Sequence, residues 1–260
     1  MPEAYDALAP FYEQNWGSQF FSNAKGLFSK LMIRRLGSKA RVLDLCCGTG
    51  EFAAWLGQKG IAATGLDSSS RMVGRARINA PGAEFIRADM CAFTLPQRFD
   101  AVTCFYNSIN HALTAHSLQG VLQSVNESLN PSGWFLFDGI DEQGYLESWH
   151  ADEVVRNFDQ VCAIRYRYDR DQKLAICNIT ITGPEPERQF EVRQRPYCRT
   201  ELSEALVAAG FSVELVHPIH DSYPLQGRYA ILARTKGNTE VSRPQITVPP
   251  GVRSISANRT

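Results

Sequence analysis

The chain has 260 residues, enough for one large domain or for a domain with an elaborate insertion. Its 44% hydrophobic and 21% charged residues put it with globular proteins and away from the disordered, collagen-like and membrane classes. Twenty-seven basic side chains balance 27 acidic ones, so no long-range field draws it to a polyanion, and no nucleic acid partner is expected.

In chain order, YDALAPFYEQNW and QFFSNAKGLFSKLMIRRLG are rich in aromatics and predict one or two helices ahead of the sheet. The first residues carry acids where a signal peptide needs positive charge, and no apolar run approaches the roughly 18 residues of a membrane span. A cytoplasmic protein with no membrane partner is the expectation. From Arg41 to Ile140, short apolar runs alternate with amphipathic ones: ARVLDLC, IAATGLD, AEFIRAD, FDAVTCFY and WFLFDGI as strands, with EFAAWLGQKG, SSRMVGRARINA and HSLQGVLQSVNESLN as helices. That alternation predicts an α/β fold whose mostly parallel sheet is covered on both faces.

After Ile140 the period changes to two. DQVCAIRYRYDRDQKLAICNITITGPEPERQFEVRQRPY reads as three antiparallel strands, broken at DRDQ and GPEPE. TELSEALVAAGF then predicts a helix with Thr200 as N-cap and Gly210 closing it. FSVELVHPI and YAILARTK can pair as the last two strands of the main sheet. The expected organisation is an N-terminal helical lid over 1–36, an α/β core over 37–140 and 198–236, an antiparallel β insertion over 141–197 and a flexible tail over 237–260, where only QITV could add an edge strand.

The 7 cysteines, at 46, 47, 91, 104, 162, 177 and 198, include no CxxC pair. Their number and spacing suit neither a zinc site nor a disulfide framework, so no metal is expected and most are read as small buried hydrophobes. The loop Cys46–Gly50 follows the first strand, where an open parallel sheet faces its ligand crevice. Gly48 and Gly50 allow close backbone approach, and the helix from Glu51 aims its first amides at the same place. A pyrophosphate is disfavoured, because Ala53 stands at the third fingerprint position and Glu51 faces the would-be phosphate. Asp67, ending the second strand, lies at the right distance past Gly50 to accept ribose hydroxyls. Taken singly, Asp44 could cap a turn, Asp67 could cap the next helix, and Asp89 could be an ordinary loop acid.

From Tyr5 to Lys236 the chain resembles the class I S-adenosylmethionine-dependent methyltransferases, small-molecule type. VLDLCCGTG is similar to the family's glycine-rich first motif, with Cys46 where glycine is usual; FIRADMCAF, FDAVTCFYNSINHAL and LNPSGWFLFD match later motifs in order. The resemblance implies S-adenosylmethionine as cofactor and a Rossmann-like, seven-stranded, mostly parallel sheet with helices on both faces, plus the β insertion over the active site. It implies that Asp44 positions the methionine ammonium, Asp67 holds the ribose, and Asp89 and Met90 bind the adenine. Cys46, Gly48, Gly50, Ser68, Met72 and Phe105 complete the implied cofactor contacts. YDALAPFY resembles the YxxxAxxY lid of small-molecule methyltransferases, placing Tyr12 near the methionine and Tyr5 near the acceptor. The two tyrosines share a helix face only if Pro10 does not break the helix.

Methyl transfer from a sulfonium is a direct displacement that needs alignment in a dry site and few catalytic groups. His111 is the candidate base, because it lies directly after the fourth strand and imidazole titrates near working pH. A similar SIxH segment occurs in family members that methylate amino sugars. The competing reading has His111 cap the next helix or satisfy a buried carbonyl; His116, His150, His217 and His220 sit in less telling places. Tyr106 and Asn110 accompany His111 on the expected acceptor side. Among the inserted strands, Arg165, Arg167 and Arg193 read as a solvated face, while Arg195 and Tyr197 return toward the core as candidate acceptor contacts. The expected reaction is methylation of nitrogen or oxygen on a small-molecule acceptor. A nucleic-acid methyltransferase and a non-catalytic cofactor-binding regulator are the alternatives, and a homodimer stays open.

Overall fold

The computed structural model describes residues 2–219 and 226–236. The expected tail over 237–260, with QITV, and His220 lie outside the described residues. Two helices come first, α1 (Pro2–Asn15) and α2 (Gly17–Leu31). The α/β alternation follows as β1 (Arg41–Leu45), α3 (Glu51–Gln58), β2 (Ala62–Asp67), α4 (Ser70–Asn79), β3 (Glu84–Arg87), β4 (Phe99–Cys104), α5 (Ala115–Ser128) and β5 (Leu129–Ile140). The chain then runs through α6 (Glu142–Ser148), β6 (Glu153–Asn157), β7 (Gln160–Asp169), β8 (Leu174–Thr182) and β9 (Arg188–Gln194). It closes with α7 (Arg199–Ala208), β10 (Phe211–Pro218) and β11 (Arg228–Thr235).

The main sheet has seven strands in the order β10-β11-β5-β4-β1-β2-β3, and β11 alone runs opposite to the other six. Both faces of its central strands are apolar, which is why they read as continuous runs. Val42 packs with Phe28, Phe52 and Leu56 on one side, whereas Leu43 and Leu45 join Val121, Leu122 and Val125 on the other. Strand order reverses between β1 and β4, and the carboxyl ends of these strands open the crevice where such sheets bind ligands.

The inserted region forms a separate antiparallel sheet, β6-β7-β8-β9, with four strands where the periodicity predicts three. The additional strand is β6, joined to β7 by a tight turn at Phe158, whose φ is 53°. A bulky aromatic in the left-handed region carries no glycine signal, so the hairpin is hidden in the sequence. Helix α6, capped by Asp141, was likewise not anticipated. The N-cap of α7 is Cys198, whose Sγ accepts from Glu201 N at 3.4 Å; Thr200 lies inside the first turn, correcting the expected cap. Helix α1 runs unbroken through Pro10. It lies between α4 on one side and β6 and β9 on the other, and buries Ala4, Ala7, Leu8 and Phe11. That packing offsets the backbone hydrogen bond that proline forfeits.

Candidate functional site

The loop after β1 is built on left-handed backbone: Cys46, Gly48 and Gly50 have φ of 55°, 53° and 87°. A Cβ on Gly50 would stand 2.9 Å from Ala76 Cα, so this position tolerates only glycine. Asp67 ties the loop to the next helix: Oδ2 accepts from Gly48 N at 3.0 Å and Oδ1 from Ser69 N at 2.9 Å. The N-cap of α4 is Ser69, not Asp67, because Ser69 Oγ accepts from Met72 N. Burial raises the Asp67 carboxyl against the pull of those amides. Asp44, buried at the end of β1, accepts from Thr103 Oγ1 at 2.7 Å. Burial pushes its carboxyl up to about 7, with Asp67 and Glu51 adding to the rise and Thr103 opposing it.

A cavity of about 700 Å³ lies between the crevice, α1 and the inserted sheet. Tyr12, Cys46, Gly48, Asp67, Ser68, Met72, Asp89 and Met90 line one end, and Tyr5, Tyr106, His111 and Gln194 also border the cavity. Asp44 and Phe105 face a smaller compartment of about 20 Å³ beside it, together with Gly48, Glu51 and Tyr106. Asp89 is exposed, and its Oδ1 accepts from Cys91 N at 2.9 Å.

His111 sits in a directed hydrogen-bond chain. Tyr145 Oη donates to Gln194 Oε1 at 2.8 Å, which leaves the Gln194 amide nitrogen to donate to His111 Nε2 at 3.0 Å. The Arg193 carbonyl, 3.2 Å from Nδ1, takes the proton on that nitrogen. These partners assign the Nδ1–H tautomer and make Nε2 the acceptor atom. Tyr5 Oη lies 2.9 Å from the same Nε2. Protein closes around the ring except where it meets the cavity, and that burial lowers His111 to about 4. The ring is therefore neutral at pH 7, below the range expected of a base tuned to working pH. It also satisfies the Arg193 carbonyl, which is what the competing reading of His111 expects.

The loop after β4 carries two consecutive non-glycine residues in the left-handed region, Tyr106 (φ 65°) and Asn107 (φ 55°). Such strain persists where the surroundings over-determine it. Here Asp138 Oδ1 accepts from Asn107 N at 3.1 Å, and Asp138 Oδ2 accepts from Arg228 Nη2 at 2.7 Å, in a buried pair. Asn107 Oδ1 is buried with no hydrogen-bond partner among the described residues.

Three expected acceptor contacts do not reach the cavity. Asn110 is fully buried, its amide nitrogen donating to the carbonyls of Ile140 and Arg195 and its oxygen accepting from Ile140 N, so it staples β5 to the segment after β9. Arg195 stacks over Tyr197 at 4.5 Å and bonds Glu201 at 2.7 Å. Tyr197 is wholly buried, donating to the Ala112 carbonyl. For Arg195 and Tyr197 the reason is that the chain turns back toward the core after Gln194, where β9 ends; Asn110 is drawn away from the cavity by the Ile140 and Arg195 backbone groups it bonds. Arg165 and Arg167 are exposed, as the solvated-face reading has it. All seven cysteines are free, and the described residues hold no group of metal-ligating side chains. Gln194, Tyr145, Glu153 and Trp149 were not singled out in the sequence; only the inward alternation of Val192 and Gln194 along β9 could have marked one of them.

Residues 42–133 match the family model of the methyltransferase domain. YqeM, a methyltransferase-type protein of Bacillus subtilis (strain 168), is 35% identical over 198 residues, covering 73% of this chain and 80% of that one. The dTDP-3-amino-3,6-dideoxy-alpha-D-glucopyranose N,N-dimethyltransferase of Streptomyces fradiae is 27% identical over 225 residues, 82% of this chain and 84% of that one. Among solved structures, an S-adenosylmethionine-dependent methyltransferase from Clostridium acetobutylicum ATCC 824 superposes with a TM-score of 0.74 at 17% identity, covering 90% of this chain and 100% of that one. The sugar N-methyltransferase KedS8 from Streptoalloteichus sp ATCC 53650 gives 0.69 at 24% identity, over 85% and 90% of the two chains. The structural likenesses carry the fold, the sequence relatives carry the kinship, and together they establish that the chain belongs to the class I S-adenosylmethionine-dependent methyltransferase family.

Proposed function

We propose that the protein methylates a small-molecule acceptor bound beneath the inserted sheet, with nitrogen as the favoured accepting atom. One observation carries this reading: a single cavity joins the Gly48–Asp67 loop to the Tyr5–His111–Gln194 array. The residues at the crevice fit S-adenosylmethionine. Asp44 is a buried carboxylate with one hydroxyl donor, suited to a ligand ammonium, and Asp67 keeps lone pairs for ribose hydroxyls. The second oxygen of Asp89 suits the adenine amine, while Met72 and Met90 supply apolar surface for the ring. S-adenosylmethionine supplies an electrophilic methyl carbon when bound.

The chain's own task is to exclude water and aim the acceptor's lone pair. His111 Nε2, neutral and fixed by its bond to the Arg193 carbonyl, accepts an N–H of the acceptor in place of the Tyr5 or Gln194 proton. An imidazole titrating near 4 is too weak a base to strip an alcohol, whereas a neutral amine needs only orientation. The N,N-dimethyltransferase relative agrees with nitrogen. The free cysteines agree with a cytoplasmic location.

Calorimetric titration of cofactor-free protein with S-adenosylmethionine and with S-adenosylhomocysteine tests the reading. Losing charged hydrogen bonds in Asp67→Ala weakens binding by about 10- to 100-fold. Absence of binding by folded wild-type protein refutes the cofactor site. With an accepted amine, His111→Ala lowers turnover by about 100-fold while cofactor affinity holds; unchanged turnover removes His111 from the reaction.

A further inference from the structure

We propose that the acceptor carries a positively charged group remote from the methylated atom, received by Glu153 within a wall formed by Trp16, Trp149 and Tyr166. This rests on the acceptor site proposed above and adds to it the chemistry of the far end. Glu153 lines the cavity from β6. Trp16 Nε1 donates to its Oε1 at 2.8 Å and Tyr166 Oη donates to its Oε2 at 3.2 Å. Both donors are neutral, and each carboxylate oxygen keeps a further acceptor position. None of the ion pairs among the described residues involves Glu153. A half-buried carboxyl group is thus held at the cavity wall by two neutral donors, with no ion-pair partner among the described residues, and a cationic ligand would complete it.

The surroundings favour the same ligand. Trp149 packs against Tyr166 with ring centroids 5.0 Å apart, and Trp16 borders the same cavity. Aromatic faces attract ammonium groups, most strongly where water is excluded. Ile164, Cys177, Ile179 and Val192 continue the wall, which suits an acceptor with a hydrocarbon body. Strands β6 and β9 are opposite edges of the four-stranded sheet, three inter-strand steps or about 14 Å apart. Glu153 therefore stands well away from His111, whose partners Arg193 and Gln194 are on β9.

A phosphate-bearing acceptor is poorly served. Arg228 is the one lysine or arginine lining the cavity among the described residues, and it is ion-paired with Asp138. A nucleoside diphosphate normally draws arginines that can bind it bidentately. The acceptor class is thus an elongated amine with a second cationic centre, rather than a nucleotide-linked amino sugar of the kind named for the Streptomyces relative.

The test uses the full chain saturated with S-adenosylhomocysteine, with binding followed by calorimetry. The probes are benzyltrimethylammonium, its neutral carbon isostere neopentylbenzene, and thymidine 5′-diphosphate. The cation is expected to bind at least about tenfold tighter than the isostere, a margin within the range of cation–π and charge-assisted contacts. Glu153→Gln abolishes that preference and leaves S-adenosylhomocysteine affinity intact, while Glu153→Asp, which keeps the charge, retains a preference of several-fold. Thymidine 5′-diphosphate does not displace the cation. Equal binding of cation and isostere, survival of the preference in Glu153→Gln, its equal loss in Glu153→Asp, or displacement by thymidine 5′-diphosphate overturns the assignment. If S-adenosylhomocysteine fails to bind while the unloaded protein shows the Glu153-dependent preference, the cofactor reading falls and the Glu153 assignment stands.

Discussion

Asp44 and His111 are both shifted toward their neutral forms, by the same cause acting on opposite charges. Burial disfavours the carboxylate at Asp44 and the imidazolium at His111. The consequences for stability have opposite signs. Folded Asp44 binds its proton more tightly than the unfolded chain does, so its contribution falls as pH rises from about 4 to about 7. Folded His111 binds its proton less tightly, so its contribution falls as pH drops from about 6.5 to about 4. An ammonium beside Asp44 needs the ionised form. S-adenosylmethionine affinity should therefore rise nearly tenfold per pH unit up to about 7 and then level off, and Asp44→Asn should flatten the profile. Calorimetry from pH 5 to 8 reads this, and a flat wild-type profile would show that Asp44 does not meet the ammonium. Asp44 and Asp67 were legible because each sits at or near the end of an apolar strand, where the topology puts ligands. His111 was legible for the same reason, but its tautomer and weak basicity were not. Those depend on Gln194, Tyr145 and the Arg193 carbonyl, which reach it from 34 to 83 residues away only once the inserted sheet has folded.

At the level of elements, α1 behaves as a strap over the crevice, secured at both ends to α4. Near its start, Asp6 accepts from Ser69 Oγ at 2.6 Å, Ser70 Oγ at 3.2 Å and Arg71 N at 2.9 Å. Near its end, Glu13 takes Arg75 and Asn79. Burial pushes the Asp6 carboxyl up, but those three donors, with Arg87, outweigh it and hold the group below its usual range. A carboxylate from one helix thus supplies what an N-terminal acid usually supplies to its own. Asp6→Asn should cost about 1 kcal/mol of this contact. The expected readouts are faster hydrogen exchange across α1 and a several-fold weaker cofactor affinity, with the melting temperature nearly unchanged. Exchange confined to wild-type rates would mean that apolar packing alone holds the strap. The YDALAPFY pattern made the helix and both tyrosines legible, whereas Pro10 obscured its continuity, because propensity has no access to the packing that offsets a missing N–H. Strand β6 was invisible for the complementary reason: its turn relies on Phe158 rather than glycine, and with it Glu153 went unnoticed.

Across the whole molecule, the order of strands explains how a late segment governs an early loop. The chain leaves the main sheet after β5, builds the inserted sheet, and returns to lay β11 antiparallel against β5 with Ala230 opposite Asp138. That return brings Arg228 to Asp138 across 90 residues, and Asp138 in turn holds the strained Tyr106–Asn107 backbone that borders the cavity. Nothing local in WFLFDGI or GRYAILART marks this pair, since a buried Asp within an apolar run is read as an interruption until its partner is known. Removing one member leaves an uncompensated buried charge, so Arg228→Met should destabilise by on the order of 3–5 kcal/mol in denaturant unfolding. Asp138→Asn should cost less, because the amide oxygen can still accept from Asn107 N, and the double variant should recover part of the loss as a positive coupling in a double-mutant cycle. The same variants should raise KM for the acceptor, since the Tyr106–Asn107 backbone loses the carboxylate that over-determines it. Strictly additive costs, with KM unmoved, would mean that the loop holds its shape without the pair and that the return of β11 serves the sheet alone.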